Sequence, residues 1–324
     1  MTTVRIAGAG LAGLVCGYEL ARRGARVVLY ERSETLGAAS VARFAGGMLA
    51  PWCEAATAEP EVVTLGRGAA DWWARVTEVT RRGTLVLAPP RDRAELTRFA
   101  RRTEAHDTLD AAAIAALEPD LAGRFTSGLH FAQEAHLDPA RALTDLARGI
   151  EAMGGEIRLG QPAPAQVEID CTGPAAALPD LRPVRGEMAV LHCPEVAISR
   201  TIRLLHPRIP LYLVPRGQGR YMIGATMVES SSDRPATLRA LTELFSAAFT
   251  LHPGFAEAAV ERSGAGLRPA FPDNLPRLIR QAGTWHLNGL YRHGFLLAPA
   301  MARRLADTLL PETRHEDHPQ RRTA

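Results

Sequence analysis

Apolar and polar positions along the 324-residue chain alternate with periods that divide it into short strands and amphipathic helices. Val4 to Ala7 and Arg26 to Tyr30 are apolar runs of strand length, and Leu11 to Arg23 between them has helical spacing with Gly24 as its stop. Residues 61 to 76 place Leu65, Ala69, Trp72 and Trp73 on or near one helical face. The tryptophan pair suits a core or a domain interface better than a substrate box. Thr84 to Ala88 reads as a strand broken by Pro89-Pro90, and Arg91 to Ala105 as an arginine-rich amphipathic helix with a solvated charged face. Asp110 caps a short helix ending near Glu118-Pro119, ahead of strands around Leu129 to Phe131 and at His136-Leu137. The best-marked helix is Pro139 to Met153, with Asp138 as N-cap, Pro139 in the first turn and Gly154-Gly155 at its close.

Glu156 to Leu159 and Val167 to Cys171 are again strand-like, joined by a short Pro-rich link and followed by Thr172-Gly173-Pro174. From residue 183 to 230 the pattern changes. Arg185 to Leu191, Ile202 to Leu205, Leu211 to Pro215 and Tyr221 to Thr226 predict an antiparallel sheet, covered by a helix over Leu238 to Leu251. Val260 to Arg268 leads back, Trp285 to Asn288 is the last strand, and Phe295 to Leu309 the last long helix. The tail from Pro311 is polar, and His315 and His318 in it fit a solvated segment rather than a metal site. No internal repeat is visible.

The first strand runs into Gly8-Ala9-Gly10-Leu11-Ala12-Gly13, a dinucleotide-binding turn. Gly8 allows the reversal, Gly10 lets a pyrophosphate approach the backbone, and Gly13 lets the helix pack on the strand. Helix amides at Leu11 and Ala12 would face the phosphates. Glu31, 21 residues after Gly10 and followed by Arg32, stands where a ribose hydroxyl pair would be held. The small-residue stretch Gly37 to Pro51 predicts a loop threading beside a large flat cofactor, with Ser40, Gly46, Gly47 and Met48 as contacts. Asn288-Gly289-Leu290-Tyr291-Arg292-His293-Gly294-Phe295 repeats the strand, Gly-rich turn and helix start. Two such helix ends suit a long ligand that gains negative charge at its far end on reduction, which favours FAD over NAD. The expected fold is therefore α/β (mixed α+β): a Rossmann-like FAD-binding domain from residues 1–75, 138–184 and 262–310, and an antiparallel-sheet substrate domain from 76–137 and 185–261, with 311–324 as tail.

Composition narrows the chemistry. Every one of the 38 basic residues is arginine, so neither a P-loop lysine nor a Schiff-base lysine exists here. The net charge of +3 is modest and the arginines are dispersed, which argues against a nucleic-acid partner. No apolar run approaches a membrane span, and no basic segment precedes the first strand, so neither anchoring nor export is expected. Cys16, Cys53, Cys171 and Cys193 lack metal-ligand spacing and read as buried thiols in a reducing cytoplasm.

The sequence segments GAGLAG with Glu31, AGGMLAP, LVPRG, IGATM, GAGLRPAFPDNLP and NGLYRHGFLLAPAMA, in that order, resemble the glycine oxidase branch of the D-amino-acid-oxidase family of flavoproteins, almost to Leu310. The resemblance implies a two-domain FAD fold in which glycine is oxidised to iminoglycine, with oxygen returned as hydrogen peroxide. In thiamine-making bacteria the imine passes to thiazole synthase. A related oxidase of another small D-amino acid or secondary amine, such as D-alanine or sarcosine, is the alternative. A non-catalytic flavin-binding partner of the thiazole machinery and a nicotinamide dehydrogenase are more distant ones. Self-association into a homo-oligomer is expected.

By position, the resemblance assigns Arg268 to the substrate carboxylate, Tyr212 to a second carboxylate contact, Arg292 to both substrate and flavin, and Met227 to the pocket lining. A planar guanidinium fork at a strand end suits bidentate carboxylate binding. Surface or core roles remain open for Arg268, Tyr212 and Met227. A cation at a helix start, as Arg292 would be, needs an anion to neutralise it. Thr172, Gly173, His293, Gly294, Phe295 and Leu296 fall on cofactor contacts, His293 through its backbone. No Ser/His/Asp set, Cys/His pair or carboxylate dyad stands out, in keeping with hydride transfer that needs no side-chain base.

Overall fold

A computed structural model describes residues 3–206 and 210–310; the expected polar tail, with His315 and His318, lies outside the described residues. Two large sheets carry the fold. The first has six strands in the order Arg277–Gln281, Thr284–Asn288, Ile169–Asp170, Thr3–Ala7, Arg26–Glu31, Glu156–Leu159. All neighbours are parallel except the edge pair 277–281 and 284–288. Helices Leu11–Arg22, Pro139–Ala152 and Gly294–Leu309 pack on it and share one apolar core in which Ile6, Leu14, Val27, Ile150 and Leu305 are fully buried. The near-continuous apolar runs of its central strands follow from being covered, as parallel strands usually are.

The second sheet has nine strands, among them Thr84–Leu87, Ser127–Phe131, Arg182–His192, Thr201–Leu204, Leu211–Gly217, Arg220–Gly224 and Ala259–Ala270. It is antiparallel except where Thr201–Leu204 lies parallel to Thr84–Leu87. Helix Leu238–Leu251 lies against it, with Ala240, Leu244, Ala248 and Leu251 buried and Thr237 capping its start. The mixed α/β class and the antiparallel second sheet are as expected.

Several boundaries differ for local reasons. The helix expected over 61–76 is two, Pro60–Gly66 and Ala69–Trp73, interrupted at Arg67-Gly68. The arginine-rich helix is shorter, Arg93–Arg101, and Ala105 beyond it is left-handed at φ 60°. The strands Asp107–Asp110 and Arg277–Gln281, too polar to give an apolar signal, escaped the reading. Ser40 to Phe44 is ordered: Val41–Phe44 forms a 3₁₀ turn whose Ala42 N–H donates to the Ser40 hydroxyl. Trp72 and Trp73 are core residues, donating to the buried Glu19 carboxylate at 3.1 Å and to the Phe295 carbonyl at 2.7 Å.

Candidate active site

A cavity of about 940 Å³ is lined from both sheets, within the size range of cofactor and ligand sites. At one end lie Gly8, Gly10, Leu11, Ala12, Glu31, Arg32, Ser40, Thr172 and Gly173. A Cβ on Gly13 would stand 1.8 Å from the Gly8 carbonyl oxygen, so the helix rides on the turn with no room for a side chain. Gly13 therefore shapes the turn from behind and does not line the cavity. Gly10 is the helix N-cap and offers no side chain there, leaving the first amides open to a phosphate. The Glu31 carboxylate accepts the Ala9 N–H at 3.0 Å and the Ser33 N–H at 3.1 Å, which ties the turn to the second strand. Thr172 gives both its N–H and its hydroxyl to Asp170.

The middle of the cavity is walled by Gly46, Gly47 and Met48. Partly buried Arg216 fixes this wall by donating to the carbonyls of Ala45, Gly46 and Leu137 at 2.9 to 3.2 Å. Burial lowers its pKa to about 10, still cationic at neutral pH. The second helix start adds His293, Gly294, Phe295 and Leu296. A Cβ on Gly294 would come within 2.8 Å of the Leu11 side chain, so the two helix starts meet.

At the far end the anion that Arg292 requires is Glu54, a residue the sequence reading passed over. The Arg292 guanidinium donates to the Glu54 carboxylate, the Tyr212 hydroxyl donates to it at 3.0 Å, and Arg203 and His293 Nδ1 approach it within 3.8 and 3.7 Å. Burial alone would raise the Glu54 pKa; positive charge, that of Arg292 foremost, holds it well below the carboxylate range. Burial lowers His293 to about 4, leaving a neutral imidazole at pH 7. Arg203 lies between the rings of Phe99 and Tyr212 at 4.8 and 5.0 Å, and pairs in register with Tyr212 across the sheet.

Arg268 differs from these arginines. Among the described residues its hydrogen bond goes to a neutral partner, the Thr226 carbonyl at 3.1 Å, and no carboxylate pairs with it. Its guanidinium lies on the bare backbone of Gly186, where a Cβ would be 2.1 Å away. Burial pushes its pKa down to about 10, so it keeps its charge at neutral pH. Met227, 49% exposed, lines the same cavity, with the Tyr291 hydroxyl and Arg292 Nη1 each 3.4 Å from its sulfur.

Thus Arg268, Tyr212, Arg292 and Met227 share one cavity with every proposed cofactor contact except Gly13. Glu54, Arg203, Arg216, Gly186 and Tyr291 were missed. Arg203 carried a signal, a charge inside the apolar run Thr-Ile-Arg-Leu; Glu54, in Pro-Trp-Cys-Glu, carried none.

A phosphate-ready glycine turn on a parallel sheet, a second helix start and a guanidinium-lined end over an antiparallel sheet define a dinucleotide-dependent redox enzyme. The chain belongs to the DAO family of FAD dependent oxidoreductases, whose family model matches residues 3–308. It is 54% identical over 99% of both chains to a Rhizobium etli protein described as "Putative thiamine biosynthesis oxidoreductase ThiO". It is 26% identical to the glycine oxidase of Bacillus licheniformis, over 94% of this chain and 92% of that one. Glycine oxidase from Geobacillus kaustophilus shares the fold at a TM-score of 0.79 and 23% identity, over 95% and 94% of the chains. Iminodiacetate oxidase from Chelativorans sp. BNC1 superposes at 0.78 with 26% identity, over 94% and 95%.

FAD is the cofactor, and the residues present fit it: the side-chain-free Gly10 turn and an elongated cavity with an amide-rich start at each helix suit a dinucleotide. Bound FAD supplies a two-electron acceptor. No helix among the described residues is long and apolar enough to cross a membrane.

Proposed function

We propose that this chain is an amino acid oxidase acting on glycine. Glycine would lose two electrons and two protons to give iminoglycine, which water converts to glyoxylate and ammonia, while O2 takes up the electrons and protons as H2O2. The observation that carries the reading is Arg268: a charged guanidinium in the cavity wall with no carboxylate partner among the described residues. Such a group binds an anion that arrives from outside, and a planar fork favours a carboxylate. Arg292 supports the site differently, since Glu54 already neutralises it.

The residues at the glycine turn, with Glu31, Arg32, Ser40, Thr172 and Gly173, would hold the adenosine and phosphate portion of FAD. Gly46 to Met48 and Arg292 to Leu296 would hold the remainder. Catalysis then rests on orientation and on the positive field of the far end, since the buried His293 is neutral and Glu54 is engaged with Arg292 and Tyr212. Relatives described as "Bifunctional protein ThiO/ThiG", at 27% and 26% identity, cover 95% of this chain with about half of their own length. This supports a role in supplying the imine to a thiazole synthase during thiamine synthesis. The likeness to an iminodiacetate oxidase keeps a secondary amine such as sarcosine as the second reading. The test is peroxide formation by the purified flavoprotein with glycine, D-alanine and sarcosine: peroxide with glycine as the best substrate is expected, and none with any of the three refutes the proposal.

A further inference from the structure

Resting on the amino acid oxidase reading, we propose that Glu187 is a positioning residue for the substrate carboxylate: acting through Thr226, it sets the place of the Arg268 guanidinium. Gly186 and Glu187 are successive residues of the strand Arg182–His192, so their Cα–Cβ directions point to opposite faces. The guanidinium of Arg268 lies on the Gly186 side, and the Glu187 carboxylate lies with Arg185 on the other. Among the described residues the link between the two charged groups runs by way of Thr226.

Thr226 stands in the irregular step between the strands Arg220–Gly224 and Val228–Glu229, outside either ladder. Three hydrogen bonds to Glu187 take the ladder's place. The Thr226 N–H donates to the Glu187 carbonyl at 3.2 Å, the Glu187 N–H donates to the Thr226 hydroxyl at 3.0 Å, and that hydroxyl donates to Glu187 Oε2 at 3.1 Å. The hydroxyl's one proton is thus directed at a charge, which fixes its rotation. Held in this way, Thr226 presents its carbonyl to Arg268 Nη1 at 3.1 Å. A neutral acceptor there orients the guanidinium without neutralising it, and the charge stays available to a carboxylate.

Glu187 is itself anchored. Its Oε1 accepts Arg185 Nη2 at 2.8 Å and Nε at 3.3 Å, and the Thr237 N–H at the start of helix Leu238–Leu251 at 2.9 Å. Arg185 in turn donates to the carbonyls of Ser232, Arg234 and Pro235 at 2.7 to 2.8 Å. Both side chains of the pair are buried. Burial alone would raise the Glu187 pKa, but its hydrogen bonds, that from Arg185 foremost, hold it below the usual value, so the group is ionised. A buried ion pair is often no more stabilising than apolar side chains of its size. What apolar side chains could not do is direct the Thr226 hydroxyl.

The experiment titrates the flavin-loaded protein with acetate, a carboxylate without an amino group to oxidise, and follows the visible flavin spectrum beside steady-state kinetics with glycine. Thr226→Val keeps the shape and loses the hydroxyl. It should weaken acetate about tenfold, the low end for one hydrogen bond to a charged group, and raise KM for glycine with little change in kcat. Thr226→Ser restores the hydroxyl and should bind acetate within about twofold of the native protein. Native acetate affinity in Thr226→Val overturns the relay, and so does a Thr226→Ser variant as weak as Thr226→Val. A merely structural role would lower flavin content and kcat in step with acetate affinity, and that outcome overturns it too. Glu187→Gln should weaken acetate in the same sense, and combined with Thr226→Val the two losses should not add, since both break one link. Additive losses show that Glu187 acts by another route. Arg268→Ala separates the two levels: undiminished acetate binding in that variant refutes the oxidase reading itself, whereas diminished binding there beside an unaltered Thr226→Val refutes the relay alone.

Discussion

Gly186→Ala should damage substrate binding while leaving the fold and the flavin in place. Gly186 lies on the strand Arg182–His192, two residues from Val184, which pairs with Arg268 across the sheet. An added Cβ would stand 2.1 Å from both Cζ and Nη2 of Arg268 and 2.3 Å from Nη1, whereas ordinary contact begins at 3.4 Å. The guanidinium must therefore retreat by about 1.3 Å, the difference between 3.4 and 2.1. What moves is the free end of a flexible side chain, so the cost to folding is small. The cost to binding is not, because a fork displaced by more than an ångström loses one or both of its charge-assisted bonds to a carboxylate. At about 1.5 to 3 kcal/mol each, one lost bond lowers kcat/KM for glycine roughly 10- to 100-fold, chiefly through KM. The assay is steady-state peroxide production beside the ratio of flavin to protein absorbance. Full flavin content with an unchanged KM would refute the placement of the carboxylate against Arg268.

Three further outcomes follow from buried groups. Glu54→Gln leaves Arg292 and Arg203 without their counter-charge in a buried setting, and should destabilise the flavin-loaded protein by about 3 to 5 kcal/mol, read as a lowered denaturation midpoint. Gly13→Ala forces a Cβ to 1.8 Å from a backbone oxygen that cannot move aside, so the purified variant should be colourless; retained yellow colour contradicts the turn as described. Burial raises Glu134 to about 8 from an ordinary 4.5, so folding favours its protonated form. The associated stability is complete below pH 4.5 and is lost as pH rises toward 8, by a few kcal/mol. His136 and His293, lowered to about 4 by burial, act in the opposite sense between pH 4 and 6.5. The Glu134→Gln variant should therefore be compared with the native protein at each pH: its advantage in Tm should widen from pH 5 to pH 8, and a constant difference would show that Glu134 is ionised.

The parts of the site legible in the sequence are those fixed by local backbone rules. The Gly8-Gly10-Gly13 turn, Asp138 as N-cap of the helix Pro139–Ala152 and the second glycine-rich helix start each depend on a few consecutive residues, so each leaves a local mark. Helix Leu238–Leu251 was visible from its apolar stripe, and the structure adds Thr237 as its cap. What was not legible depends on pairing between distant strands. Arg203 meets Tyr212 only through sheet register, and Glu54 reaches Arg292 across 238 positions of chain. The need for an anion near Arg292 was deducible from helix electrostatics, yet its identity was not. Gly186 looks like any strand glycine until Arg268 is seen lying on it. The loop from Ser40 to Phe44 is small and polar in sequence, and its order comes from the Ser40 cap and from Val41 and Phe44 packing against Gly266 and Gly264.

The central claim is that glycine reaches a flavin held in this cavity and is oxidised there. Adding glycine anaerobically to the purified protein and recording the visible spectrum tests it without recourse to oxygen or to any partner. Glycine should bleach the oxidised flavin band, and admitting air should restore it with formation of hydrogen peroxide. A band that neither glycine, D-alanine nor sarcosine bleaches would contradict the account.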